Sequence, residues 1–245
     1  MKIDILTLFP EMFTPLTSSI LGKAGEKGIL EIKLTDIRDY TKDKHRKTDD
    51  YPFGGGNGMV MMAQPVFDAL RAVGTEGKKL IYMSPRGKVI DKEKIQELAA
   101  EQELLILCGH YEGIDQRILD SWDMEEISIG DYILTGGELP AMVLVDSVAR
   151  MLPEVLASEE AALGESVYSG LLEYPQYTHP REFEGMEVPE VLISGNHKAI
   201  ALWNFEQSLE LTRERRPEML KSFAENAENL SKEEKKILEN SLKKL

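Results

Sequence analysis

The sequence predicts an α/β fold with a parallel sheet, and two patterns in the first 150 residues indicate this class. Short runs of β-favouring residues alternate with segments of helical periodicity, as expected when crossover helices join the strands. Residues 104–108 are apolar at every position, which is typical of a central parallel strand buried on both faces. With 42% hydrophobic residues, the 245-residue chain can bury such a core and carry a second, smaller domain.

The first elements follow from alternation and from breaker residues. Residues 2–9 alternate and predict a strand that Pro10 ends, and residues 29–35 predict a second strand. Helices are expected across residues 12–21 and 64–73.

Three further segments complete the predicted sheet and its helices. Residues 79–83 predict a strand that Ser84-Pro-Arg-Gly87 stops, and Asp91 is expected to cap a helix that continues through Ala100. A strand begins near Ile127 and leads, past two glycines, into an apolar helix over residues 139–148.

The pattern breaks after this helix. Residues 154–170 mix acids, alanines and glycines without a period, which indicates a linker or a mobile lid. Beyond an irregular, proline-bearing run, helices are expected over 198–213 and 232–242, with a shorter one after Pro217. We therefore predict an α/β domain at 1–158, a flexible linker at 159–170 and a helical domain at 171–245.

Composition limits the cell compartment and the kind of site. No apolar run reaches the roughly 20 residues that span a bilayer, and the acidic Asp4 does not suit a signal peptide. The single cysteine, Cys108, rules out an internal disulfide and fits a reducing cytoplasm. One cysteine and four histidines also argue against a structural zinc site.

Charge gives two opposing indications about a nucleic-acid partner. The net charge of −14 argues against such a partner on average. Residues 42–47 and 213–216 are nevertheless local basic clusters, and phosphate contact requires only a local patch. The alternative interpretation is that both clusters are ordinary solvated surface.

Three glycine-bearing segments follow neighbouring predicted strands: Ser84-Pro-Arg-Gly87, residues 109–113 and residues 130–137. Open α/β sheets bind ligands at the carboxyl ends of their strands, so these segments predict a pocket of backbone donors and acceptors. The alternative is three tight turns. The chain lacks the P-loop pattern, the Rossmann glycine pattern and the nucleophile-elbow pattern.

The ordered motifs of the chain resemble one family, the bacterial tRNA (guanine-37 N1)-methyltransferases of the knotted SPOUT class. The similarity begins with Lys2-Ile-Asp-Ile-Leu-Thr-Leu-Phe-Pro-Glu-Met-Phe13 and reaches about Pro217. The motifs that carry it are Asp36-Ile-Arg-Asp39, His45-Arg46, Asp49-Asp-Tyr-Pro-Phe-Gly-Gly-Gly-Asn-Gly-Met59, Ser84-Pro-Arg-Gly87, Cys108-Gly-His-Tyr-Glu-Gly113, residues 129–140, Gly170-Leu-Leu-Glu-Tyr-Pro-Gln-Tyr-Thr-His-Pro180 and Val191-Leu-Ile-Ser-Gly-Asn-His197.

The resemblance implies a deep trefoil knot around residues 84–140, an exception to the usual unknotted chain. It implies that S-adenosylmethionine sits bent in this knot, and that the protein is a cytoplasmic homodimer whose active site lies at the subunit interface. The residues implied to bind the cofactor are Ser84, Pro85, Gly109, Tyr111, Glu112, Gly113, Ile129, Gly130, Asp131, Tyr132, Ile133, Leu134, Gly136 and Gly137.

The resemblance also implies catalytic residues. Guanine N1 carries a proton that a base must remove, and negative charge develops toward O6. The family's base is an aspartate in an Asp-Ser-Phe motif that reads Glu165-Ser-Val167 here, so Glu165 is the expected base and Glu173 the next candidate. Arg150 matches the family's O6 cation, although on its own it is an ordinary helix-end arginine. A contribution of Mg²⁺ is implied, at an unknown site.

The expected substrate is a tRNA with guanine 37 preceded by guanine 36. Extrusion of the target base is expected, because N1 is otherwise held in pairing or stacking geometry. Two other functions remain open: methylation of a different RNA site, and a non-catalytic RNA-binding dimer. The predicted tRNA contacts are His45, Arg46, Asp50, Gly54, Gly55, Gly56, Glu173, Arg213, Arg215 and Arg216.

Overall fold

A five-stranded parallel sheet is the central feature of the computed structural model, which describes residues 1–156 and 165–245. The strands of the sheet occur in the order β2-β1-β6-β5-β7 and all their pairings are parallel. The predicted α/β class with a parallel sheet is therefore confirmed. The strands of the described residues are β1 (Lys2–Thr7), β2 (Glu31–Asp36), β3 (Asp49–Asp50), β4 (Val60–Met61), β5 (Lys79–Val89), β6 (Glu103–Cys108), β7 (Glu125–Ser128), β8 (Glu182–Phe183) and β9 (Met186–Glu187).

Eight α-helices accompany these strands in the described parts of the chain. Most of these helices lie within a few residues of their predicted bounds, but α4 was not predicted from the sequence. The short β3–β4 and β8–β9 hairpins were not predicted either. The helices are α1 (Ser19–Glu26), α2 (Ala63–Val73), α3 (Lys92–Ala99), α4 (Gln116–Ser121), α5 (Glu138–Ala149), α6 (His197–Arg215), α7 (Pro217–Asn226) and α8 (Lys232–Leu242).

β6 occupies the centre of the sheet, which explains its continuous apolar sequence. Alternate residues of a strand point to opposite faces. Leu104, Ile106 and Cys108 accordingly pack in one core with residues of α1, α3 and α5. Leu105 and Leu107 pack in a second core with residues of α2 and α4. All five side chains are fully buried, so the sheet is covered on both faces.

The helix predicted over residues 12–21 is wrong in type and extent. The segment is a 3₁₀-helix, Pro10–Thr17, followed by the separate helix α1. Pro15 lies inside the first of these and has no N–H to donate, and Ser18 between them is extended. A continuous α-helix would need backbone hydrogen bonds that this sequence does not provide.

The predicted end of β5 at Ser84 is also wrong. β5 continues to Val89, and its pairing with β7 shifts register between Met83 and Lys88. A proline is tolerated within a sheet where the ladder is irregular. Gly87 lies so close to the backbone of Glu126 that a Cβ atom there would collide with it.

The chain folds as two compact units, Met1–Glu159 and Glu160–Leu245. The second unit contains α6, α7 and α8, whose shared core includes Leu209, Leu220 and Leu238, each less than 10% exposed. Of the linker predicted at 159–170, the structure describes only the part from Glu165 onward. Within residues 1–156 and 165–245, no helix combines the length and apolar character needed to cross a membrane.

Candidate active site

A cavity of about 390 Å³ lies where β6 and β7 end, beside the part of β5 in which the pairing is irregular. Its walls come from the three glycine-bearing segments, although the first of them is an irregular stretch of β5 and not a loop after it. The carboxyl edge of a parallel sheet is where open α/β folds bind ligands. The position of the cavity therefore makes it the candidate ligand site of the first unit.

All but one of the predicted cofactor-binding residues line this cavity; the exception is Asp131. The sequence prediction missed several lining residues that flank the motifs along the same strands and loops. Tyr82, for instance, lies two positions before Ser84 on the same face of β5, a spacing that could have identified it. The lining residues missed are Tyr82, Met83, Arg86, His110, Ile114, Ile127, Ser128, Thr135 and Pro140.

Two glycines allow the cavity walls to approach each other at backbone level. The N–H of Gly137 donates a hydrogen bond to the carbonyl oxygen of Gly109 at 2.7 Å. A Cβ atom on Gly137 would lie 2.8 Å from Gly109 N and 2.9 Å from Cys108 Cα. Neither neighbour is a flexible side chain, so only glycine fits at residue 137.

Tyr82 forms part of the cavity floor. Its residue is 5% exposed, and a Cβ atom on Gly109 would lie 2.7 Å from its hydroxyl oxygen. Burial, followed by the nearby negative charge of Glu126, raises the pKa of Tyr82 to about 12. The phenol is therefore neutral at physiological pH.

The glycine-rich segment before β4 is attached to the cavity wall. The N–H of Glu112 donates to the carbonyl oxygen of Met59 at 3.0 Å, and the N–H of Met61 donates to that of Gly113 at 2.9 Å. β3 and β4 pair in antiparallel fashion around the segment, which ties its ends together. The hairpin thus holds the predicted guanine-contacting residues Asp50, Gly54, Gly55 and Gly56 on a support shared with the cavity.

Tyr51 and Phe53 in the same hairpin expose most of their aromatic surface. Tyr51 is 76% exposed and Phe53 is as exposed as in a free peptide, at 102%. Exposed aromatic rings on a glycine-rich segment are suited to stacking against nucleobases.

The two basic residues predicted to contact phosphate before this hairpin differ in their surroundings. Arg46 forms ion pairs with Asp36, at 3.1 Å, and with Asp39. His45 is exposed, and its backbone N–H donates to Asp43 at 2.7 Å. Arg46 must exchange its carboxylate partners for phosphate if it is to bind RNA.

Arg150 ends α5, as predicted. Its backbone N–H donates to the carbonyl oxygen of Asp146 at 3.1 Å, and the residue is partly buried. A cation at this place is favourable toward the carboxyl end of the helix dipole.

A hydrogen-bonded turn carries Glu165 in the second unit. The N–H of Ser169 donates to the carbonyl oxygen of Glu165 at 3.2 Å, and the N–H of Glu173 donates to Ser166 Oγ at 2.9 Å. Glu165 is partly buried, whereas Glu173 is exposed and accepts from Gln176 at 3.0 Å. The turn thus brings the segments of both candidate bases together.

The arginines at the end of α6 are not equivalent. Arg213 is partly buried, and its Nε atom has no hydrogen-bond partner within the described residues. Arg216 forms an ion pair with Glu218, and Arg215 is exposed. Their contacts with RNA remain predictions.

The fold and the cavity define a class: a parallel α/β protein that binds a ligand on glycine-rich backbone segments at the carboxyl edge of its sheet. Within that class, the model of the family tRNA (Guanine-1)-methyltransferase TrmD matches residues 1–222, and the chain belongs to this family.

Curated relatives agree with this assignment, and each carries the name tRNA (guanine-N(1)-)-methyltransferase. The protein of Ruminiclostridium cellulolyticum is 57% identical over 223 residues, covering 89% of this chain and 96% of the relative. That of Alkaliphilus metalliredigens is 57% identical over 229 residues, covering 91% and 93%. That of Clostridium botulinum is 53% identical over 246 residues and covers 100% of both chains.

Proposed function

We propose that this protein transfers a methyl group from S-adenosylmethionine to N1 of guanine 37 in the anticodon loop of tRNA. The observation that carries the proposal is the cavity in which glycine-rich segments of three neighbouring strands converge, in a chain of this family. The same resemblance supports a trefoil knot through residues 84–140 and a helical tRNA-binding domain after the linker.

The cavity residues suit S-adenosylmethionine. A volume of about 390 Å³ falls within the range of small-molecule sites, and the walls combine apolar side chains with backbone donors and acceptors. When bound, the cofactor supplies an electrophilic methyl group on a positively charged sulfur. The protein's part is to hold that group in line with the acceptor nitrogen and to exclude water.

Glu165 takes the proton from guanine N1, which makes the nitrogen nucleophilic. Its carboxylate extends one methylene further from the backbone than that of the family's aspartate. The hydrogen-bonded turn made by Ser166, Ser169 and Glu173 fixes the backbone position of Glu165. Glu173 lies on the same turn and is the alternative base.

Arg150 stabilises the negative charge that develops on guanine O6 as the proton leaves. A fixed guanidinium group is well suited to this task, since it stays charged at any physiological pH. For Mg²⁺, no group of three or more His, Cys, Asp or Glu side chains in residues 1–156 and 165–245 is arranged to hold a metal ion.

The hairpin around Phe53 receives the anticodon loop. Asp50 and Gly54 to Gly56 contact guanines 37 and 36, and the exposed rings of Tyr51 and Phe53 stack on unpaired bases. His45, Arg46 and the arginines 213, 215 and 216 contact phosphates. Because the protein as a whole is acidic, tRNA binding by these few cations depends on their lying close to the phosphates.

The active enzyme is a homodimer in the cytoplasm. α5 leaves Leu139 and Val143 each 47% exposed one turn apart, and Ile133 just before the helix is 77% exposed. Such an apolar stripe beside the cavity is suited to a second copy of the chain. The linker residues of one subunit then complete the active site of its partner.

Methyl transfer from labelled S-adenosylmethionine to an unmodified tRNA transcript with guanines 36 and 37 tests this proposal. We expect Glu165→Gln to lower kcat roughly 10²–10⁴-fold, as removal of a general base does. Arg150→Ala should lower it roughly 10²–10³-fold, as removal of an oxyanion donor does. Glu165→Asp should retain activity, and Glu173→Gln is the matched control.

The outcomes separate the competing functions. If Glu173→Gln loses methyl transfer while Glu165→Gln retains it, Glu173 is the base. Equal methylation of a transcript with adenine at position 37 would mean that another RNA site is the target. A wild-type protein that binds tRNA but releases no heat with S-adenosylmethionine would instead be a non-catalytic RNA-binding dimer.

A further inference from the structure

A buried carboxyl group lies next to residues that line the cavity. Glu138 is the first residue of α5 and is only 1% exposed. Glutamate is almost never buried to this extent unless it has polar partners, because desolvation of a carboxyl group is costly. Its partners therefore indicate what the buried group does.

Thr7 is the first of these partners. The Thr7 hydroxyl donates to Glu138 Oε1 at 2.8 Å, and the N–H of Phe9 donates to Thr7 Oγ1 at 2.9 Å. Thr7 is fully buried at the carboxyl end of β1. Two hydrogen bonds in series thus connect the end of β1 to the start of α5, across 131 positions of sequence.

His110 lies on the other side of the same carboxyl group. Its Nδ1 is 3.8 Å from Glu138 Oε2 and has no hydrogen-bond partner among the described residues. The imidazole also contacts the rings of Phe9 and Tyr111, with centroid separations of 4.9 Å and 4.8 Å. His110 and Tyr111 both line the cavity.

The carboxyl group also lies close to Gly136, in a different lining segment from His110. His110 and Gly136 form an isolated antiparallel bridge, and a Cβ atom on Gly136 would collide with Glu138 Oε2 and with His110 Nδ1. Thr7, His110 and Gly136 therefore come from three separate segments and meet at one side chain.

We propose that Glu138 is a positioning residue for the cofactor cavity, where its carboxyl group, held by Thr7, fixes the walls that carry His110 and Gly136. The inference rests on the proposed function in one respect, that the ligand of the cavity is S-adenosylmethionine. A merely structural role would stabilise the start of α5 and leave the affinity of the folded protein unchanged.

Calorimetric titration of the full-length protein with S-adenosylmethionine distinguishes the two roles. The titrations use a temperature at which circular dichroism shows every variant to be folded. Thr7→Val keeps the shape of the side chain but removes the donor, and Glu138→Met removes both oxygens. Glu138→Gln and Thr7→Ser keep the Thr7–Glu138 hydrogen bond. Thr35→Val, at a buried threonine that pairs with Leu6, is the control for loss of a buried hydroxyl.

We expect Thr7→Val and Glu138→Met to raise the Kd roughly tenfold, the effect of leaving a buried polar group unpaired. Glu138→Gln, Thr7→Ser and Thr35→Val should stay close to the wild-type Kd. In the methylation assay the loss should be a raised KM for S-adenosylmethionine, with the KM for tRNA unchanged.

Two results would overturn the inference. In the first, Thr7→Val and Glu138→Met bind with the wild-type Kd and differ only in melting temperature or in the fraction of competent sites. In the second, Thr35→Val weakens binding as much as Thr7→Val does. Failure of the proposed function is distinguishable, because the wild-type protein itself would then not bind S-adenosylmethionine. That result would also overturn the inference, since Glu138 would have no cofactor to position.

Discussion

Cys108, the last residue of the central strand β6, has a thiol that is shielded from solvent and reagents. The side chain is fully buried in the core that includes α5. Burial, followed by the negative charge of Glu138, raises the pKa of the Cys108 thiol well above its ordinary value. Since the thiolate is the reactive form, both access and ionisation oppose reaction.

Native protein should therefore not react with a thiol reagent such as dithionitrobenzoate on the timescale of minutes at pH 8. Denatured protein should release one equivalent per chain, which provides the internal control. Because the folded thiol keeps its proton longer than the unfolded one, its contribution to the free energy of unfolding should fall as the pH rises through the ordinary thiol range. Rapid stoichiometric reaction of native protein would contradict the burial.

The residues of the cavity show which parts of a site a sequence can predict. Glycines 109 and 137 are recognisable because two backbones can come within hydrogen-bonding distance only without a Cβ atom. The roles of Thr7 and His110 are not recognisable in the same way. Their partner, Glu138, is distant from Thr7 in sequence, and a threonine in a strand has no pattern that indicates a buried acceptor.

At the scale of the elements, α8 has the clearest local stabilisation. Ser231 accepts from the N–H of Glu234, whose side chain accepts in return from the N–H of Ser231, so a complete capping box begins the helix. The helix packs Leu238 into the core of the second unit.

Replacing the cap should loosen α8 selectively. We expect Ser231→Ala to reduce the local opening free energy by about 1 kcal/mol, the usual value of an N-cap. Ser231→Asp should retain it, because aspartate also accepts from the first turn. Hydrogen exchange at the amide of Leu238 measures the effect, with Ser222→Ala inside α7 as the control. Unchanged exchange in Ser231→Ala would show that packing alone sets the stability of the helix.

Element boundaries are predictable where a local rule controls them. Asp91 caps α3 as the sequence predicts, and its side chain accepts from the N–H of Lys94 at 2.9 Å. The prediction for β5 is wrong because Pro85 and Gly87 ordinarily end strands. Here pairing with β7 resumes after a register shift, so tertiary pairing outweighs a local breaker signal.

For the whole molecule, the distribution of charge matters more than the total of −14. Arg46 and Arg216, both predicted to contact RNA, already form ion pairs with carboxylates. A cation that exchanges a carboxylate for a phosphate contributes less binding free energy than a cation that had no anionic partner before. Recognition by this protein should therefore depend more on base contacts in the hairpin around Phe53 than on phosphate contacts.

Assembly of the whole molecule can be tested through the apolar stripe of α5. Two copies that meet about a twofold axis bring the same patch of each into contact. Val143→Glu places a carboxylate on each side of such an interface, and like charges there repel. We expect the variant to sediment as a monomer. Under the proposed function it should also lose methyl transfer, because the linker residues of a partner would no longer complete the active site.

The control for this variant is Val89→Glu, which changes a residue of nearly equal exposure, 43% against 47%, at the end of β5. It should remain a dimer and keep its activity. A wild-type monomer in sedimentation, or an active dimer of Val143→Glu, would exclude this stripe as the subunit interface. Dissociation with full activity would mean that one chain alone supplies the base, so that Glu165 acts on the cofactor cavity of its own subunit.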